Sequence, residues 1–140
     1  MASYPAIRDG LAVRLRTLDT FLVAHPTVPL STVAPAAVVV PGNPIARYHQ
    51  TMEGAGGALI QLNFEILALV QAMAEEWNQD TLDALIVGAD SVPVAIEGDQ
   101  TLGGEALAVV CTVAANYGDA IRFADSEFIG AVFRIEVYAR

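Results

Sequence analysis

The sequence predicts an α+β fold, a mixed or antiparallel β-sheet packed against an N-terminal helix and one or two short central helices. Three observations predict it: an apolar stripe at helical spacing opens the chain, two later segments alternate apolar and polar residues with a period of two, and capped helical stretches lie between them. Because helices and strands do not strictly alternate, a mixed layer of sheet and helices is favoured over a doubly wound fold. At 140 residues, one domain spanning 1–140 is expected, with enough chain to bury a real core.

Ser3 is placed to cap a first helix with Pro5 in its opening turn. Ile7, Leu11, Leu15 and Leu18 then share one stripe, while Arg8, Asp9 and Arg16 are expected to face away. Residues 21–24 read as a short strand, followed by an extended connection through Pro26, Pro29 and Pro35. A strand is predicted over 36–40 and is expected to stop at Pro41–Pro44, since proline donates no ladder hydrogen bond. Glu53 to Gly57, EGAGG, reads as a flexible tip.

Ile60, Leu62, Phe64 and Ile66 alternate with Gln61, Asn63 and Glu65, the pattern of a strand with one dry and one wet face. Residues 67–77 fit helix and strand equally. Asp80 is expected to cap a helix carrying Leu82, Leu85 and Ile86 and closing at Gly88, and Ser91 to cap a second with Pro93 in its first turn and Gly98 past its end. DQTLGG, residues 99–104, is turn chemistry. Residues 105–115 are apolar on both faces and so predict a central strand. Residues 118–127 read as a polar connection. Ile129, Ala131, Phe133, Ile135 and Val137 alternate with Val132, Arg134, Glu136 and Tyr138 in a closing strand.

Composition narrows the function. Apolar residues make up 54% of the chain and the mean hydropathy is +0.48, high for a soluble domain of this size, so some surface beyond the monomer core is expected to be buried. A membrane is not expected to take it up, because the longest uncharged stretch, 20–46, carries five prolines. The opening MASYPAIRDG has neither a basic nor an apolar leader region, which predicts no secretory signal. A net charge of −9 argues against wrapping nucleic acid, whose phosphates are bound by Lys and Arg. All seven cations are Arg, which suits protein interfaces; a GC-rich coding sequence gives the same bias.

Reactive constellations are sparse. His25 and His49 are 24 residues apart, outside any metal-ligand spacing, so no metal and no cofactor is expected. No nucleophile elbow surrounds a serine, and Cys111 lies mid-strand, where a buried thiol acts as a small hydrophobe. EGAGG precedes a strand, whereas phosphate-binding glycine loops follow one and open a helix. No catalytic activity is expected. Arg47, Tyr48 and His49 follow the Pro-Gly-Asn-Pro turn, but alternate residues of a strand point apart, so the trio does not converge on one substrate unaided. A contact surface, with Met52 adding an adaptable apolar group, fits better; an ordinary loop with an exposed ion pair is the alternative.

Four stretches together, PAAVVVPGNPIARYHQTM, NFEILALV, LDALIVGADSVPVAIEGDQTLGG and IGAVFRIEVYAR, resemble the tail terminator (tail completion) proteins of long non-contractile-tailed bacteriophages, especially those of actinobacterial hosts. SVPVAIEGDQTLGG, residues 91–104, is the most specific of them. The resemblance implies a homohexameric ring on the head-proximal end of the tail tube that stops tube polymerisation and offers a head-joining surface. Its implied partners are the tail tube protein, a head-neck connector or stopper protein and the tape measure protein. Its implied location is the virion, after assembly in the host cytoplasm. DNA would pass through without specific binding, since six copies at −9 carry about −54 and an acidic bore repels phosphate. The expected subunit and ring contacts are Arg47, Tyr48, Met52, Glu53, Gly54, Asp99, Thr101 and Leu102. Two alternatives remain open at this stage, another neck component such as a head-closure protein, and a small-molecule-binding domain or enzyme.

Overall fold

The computed structural model describes residues 3–29, 31–48, 59–71, 76–123 and 126–140. Eight elements run in the order α1 (Tyr4–Leu15), β1 (Val23–His25), β2 (Ala36–Arg47), β3 (Ile60–Gln71), α2 (Glu76–Ile86), α3 (Val92–Glu97), β4 (Ala108–Phe123) and β5 (Ser126–Ala139). The strands form one five-stranded sheet in the order β1-β2-β3-β5-β4. β1 pairs parallel to β2 and every other pair is antiparallel, so the α+β class with a mixed sheet and three helices is the observed one.

α1 starts where Ser3, in extended backbone, accepts a hydrogen bond from the Ala6 N–H, with proline in the first turn. Ile7, Leu11 and Leu15 are fully buried, and Leu18 continues the stripe beyond the helix end. The arginines are less free than the sequence predicts. Arg14 Nε donates to the Ala95 carbonyl at 2.9 Å and Arg16 Nη2 to the Ala24 carbonyl at 3.0 Å, which ties α1 to α3 and β1. Arg8 does not simply face away either. Its guanidinium lies 5.5 Å from the Tyr4 ring centroid, and Tyr4 in turn stacks on Phe64 at 5.0 Å.

The helices cover one face of the sheet. Phe64, Ile66, Ala68 and Val70 of β3 and Ala131, Phe133, Ile135 and Val137 of β5 point into this layer with Leu82, Leu85, Val92 and Ile96. Each fully buried large side chain there stabilises the fold by about 1.5–3 kcal/mol. α3 is capped by Ser91, whose hydroxyl accepts from the Val94 N–H and donates to the Gly88 carbonyl, and it ends at Gly98 as the sequence predicts. On the opposite face Ala34, Val38, Leu69 and Phe128 form a small buried cluster, and Ala36 is buried beside them in β2.

Four expectations are corrected. β2 does not stop at Pro41 but runs on to Arg47: Pro41 pairs with Phe64 and Ala46 with Leu62, so four residues of β2 stand against Asn63 alone. Proline is tolerated there because β1 pairs only with Ala36–Val38, which leaves the rest of β2 as a sheet edge, and because the bulge needs no ladder donor. Asp80 is not a cap, since α2 begins at Glu76, a turn earlier. The ambiguous stretch splits, with strand to Gln71 and helix from Glu76.

β4 is the edge strand rather than a central one. Its small apolar residues do not require cover, and Thr112, Val113 and Ala114 are exposed. Finally, 118–127 is no connection. β4 continues to Phe123 and pairs back through Arg122↔Glu127, while Asn116 at φ 58 and Gly118 at φ 77 take left-handed backbone inside a bulge between Ala115 and Asp119.

Candidate functional site

The wet face of β3 and the wet face of β5 lie side by side on the helix-free side of the sheet. Asn63 pairs with Glu136, Glu65 with Arg134, and Gln61 with both Tyr138 and Arg47. The bulged outer strands rise on either flank, Gly42–Pro44 on one side and Thr112–Val113 on the other. The result is a trough of about 540 Å³.

Side-chain bonds fix part of this floor. Gln61 Nε2 donates to Asn63 Oδ1 at 2.8 Å, and Asn63 Nδ2 donates to the Pro44 carbonyl at 2.9 Å, which holds the β2 bulge over the sheet. A Cβ on Gly42 would come within 2.9–3.0 Å of the Asn63 Cβ and main chain, so the bulge sits this low only because residue 42 is glycine. The Tyr138 hydroxyl donates to Glu136 at 3.0 Å, and burial followed by this bond pushes the phenol above its ordinary pKa. Arg47 and Arg134 also line the trough, and neither guanidinium has a hydrogen bond or ion pair to a described residue.

The sequence-predicted contact residues do not form one patch. Arg47 and Tyr48 lie at and just past the end of β2, Arg47 lining the trough and Tyr48 exposed beside it. Met52, Glu53 and Gly54 lie outside the described residues. Asp99 and Thr101 belong to the turn that leads to β4, at the same end of the sheet as Arg47 but three strands away, at least about 14 Å. Leu102 is not a surface residue: it is 4% exposed and packs beside Gly10 of α1, so it is removed from the contact set.

In that turn the Asp99 carboxylate accepts from the Gly103 N–H at 3.0 Å and from the Thr101 hydroxyl and N–H at 3.0 and 3.2 Å. These bonds hold its pKa below the ordinary carboxylate value, the Gly103 bond contributing most. The aspartate thus closes its own loop, and three of its acceptor positions are taken up internally.

Other titratable groups are oriented toward structure. The Cys111 thiol is pushed up to about 11 by burial and by the nearby Glu97, and is therefore protonated near neutral pH. His25 Nε2 lies 2.8 Å from the Thr32 hydroxyl, and burial together with Arg16 lowers its pKa, so its ring is neutral at pH 7. His49 lies outside the described residues. Among the described residues no three of His, Cys, Asp or Glu gather as a metal site, and no helix is long and apolar enough to cross a membrane.

The trough floor itself, Gln61, Asn63, Glu65, Arg134 and Glu136, is absent from the predicted contact set. The signal was present: both strands alternate with polar residues on one face, and pairing those two faces would have assembled it. The chain matches no protein-family model and no curated protein.

Proposed function

We propose that the chain is a structural subunit of a phage tail. In this reading it forms a ring, hexameric by its resemblance to tail terminators, that caps the head-proximal end of the tail tube, ends tube growth and carries the head-joining surface. One observation supports this best: the sheet is covered on one face by three helices and left bare over the polar half of the other. That bare half is walled by two bulged strands and edged by the exposed apolar side chains Ile45, Tyr48 and Val113. A broad, open surface of this shape, rimmed by exposed apolar groups, suits contact with protein. A ring subunit uses two patches, and at about 800 Å² each they would cover about a fifth of the 7365 Å² accessible surface.

Electron microscopy of phage lysates lacking the protein tests the reading. Tails of irregular, extended length that do not join heads are expected. Tails of normal length, normally joined to heads, would overturn it, and headless tails of uniform length would assign the chain to head closure instead.

A further inference from the structure

α2 is held to the molecule differently from the other two helices. Arg14 and Arg16 tie α1 to its neighbours, and α3 has both its Ser91 cap and the Arg14 bond to Ala95. Among the described side chains of α2, Leu82 and Leu85 are the buried ones. Its own charges oppose it: Asp80 and Asp83 are like charges three residues apart, its last turn has no basic residue, and Asp90 follows at the end where the backbone dipole is negative. Gly88, at φ 122 with open space where a Cβ would lie, turns the chain out of α2. Its carbonyl accepts from the Ser91 hydroxyl at 2.8 Å, so the far side of this turn is anchored to α3.

β4 leaves regular pairing at the point where it meets this helix. Ala115 pairs with Val132 and Asp119 with Gly130, so Asn116, Tyr117 and Gly118 stand against Ala131, and Asn116 at φ 58 takes a left-handed conformation that disfavours a side chain. From this excursion the exposed Tyr117 donates its hydroxyl to Asp83 of α2 at 2.7 Å, 34 positions away in the chain. The bond to Asp83 is the main cause that holds the phenol above its ordinary pKa, so the donor proton is in place at neutral pH. Strained backbone that carries a contact to a second element points to a role for that contact. We infer that α2 is a latched flap: it opens as a unit about Gly88 while α1, α3 and the sheet stay folded, and the Tyr117 hydroxyl on Asp83 sets how often it does so. Opening withdraws Leu82 and Leu85 from the apolar layer over the sheet. The inference is independent of the ring reading.

Native-state hydrogen exchange of the whole chain tests this, read at the amides of Leu82 to Ile86 and at those of β3 and β5. In the wild type the α2 amides should exchange through an opening of their own, well ahead of the two strands. Tyr117→Phe keeps the ring and removes the donor; it should speed exchange in α2 by about five-fold and leave β3 and β5 unchanged. The same Tyr117→Phe step made in an Asp83→Ala background should have no effect, because the bond is already gone, and this comparison cancels the change in helix propensity at position 83. Four results would each overturn the flap: α2 amides that exchange no faster than those of β3 and β5, no effect of Tyr117→Phe, an effect spread evenly over the sheet, or one that persists undiminished beside Asp83→Ala.

Discussion

Replacing Gly130 by alanine reverses an ordinary expectation. Glycine within a strand is normally worse than alanine by about 0.5–1 kcal/mol, so the substitution should stabilise. Gly130, however, sits in β5 opposite Leu69 of β3 and Asp119 of β4. A Cβ there would collide with the Ala68 carbonyl oxygen, and would lie 3.0 Å from its carbon and 3.1 Å from Ile121 Cδ1. Ile121 can rotate, but Ala68 is main chain in a strand bonded on both sides, so the strands must part. Overpacking costs about 1–3 kcal/mol, and a main-chain obstacle belongs at the upper end. Less the propensity gain, the net loss is about 2 kcal/mol. With a urea m-value of about 2 kcal/mol/M, the unfolding midpoint followed by far-UV circular dichroism should fall by about 1 M. Gly103→Ala, at φ +77 with no atom within 4 Å, separates the two causes: it should lose only the left-handed penalty of about 1 kcal/mol. A Gly130→Ala midpoint equal to or above that of the wild type would refute the close-approach argument.

Three further outcomes follow from the same geometry. Ser91→Ala removes the α3 cap at a residue 1% exposed and should lower stability by about 1–2 kcal/mol in the same urea assay. Cys111, raised from 9.0 to about 11, ionises first in the unfolded chain, so stability should fall as pH rises from about 9 to about 11. Cys111→Ala should flatten part of that slope in pH-dependent melts, the raised tyrosines Tyr4, Tyr117 and Tyr138 contributing to the remainder. The Asp99 pKa is depressed below 3.8, so its contribution is present above that pH and lost as pH falls through the folded value. NMR should find the Gly103 amide shifting only below pH 3.8 and exchanging faster in Asp99→Ala.

What could be read from the chain is what neighbours in sequence decide. Ser3 and Ser91 mark their helices because a cap needs only the next three residues, and β3 and β5 declare themselves because alternation is local. Strand order is not local. Residues 105–115 look central because alanine and valine populate both faces, and nothing nearby reveals that β5 takes the inner position. Pro41 and Pro44 mark a stop in a paired strand, but not on an edge where a bulge absorbs them. The trough fails to appear for a related reason: its two arginines lie 87 positions apart, and only the register of β2, β3 and β5 brings them to one surface.

The prolines of β2 and the two irregular steps of β4 also govern what the free protein does at high concentration. A stray extended chain approaching either rim meets missing donors on one side and a broken line of carbonyls on the other, so cross-β growth from this sheet is halted at its first few rungs. A contact between two copies at these rims would thereby fall to side chains, and so be reversible and sensitive to salt. A sheet guarded in this way resists aggregation at concentrations where an open, regular edge would nucleate it.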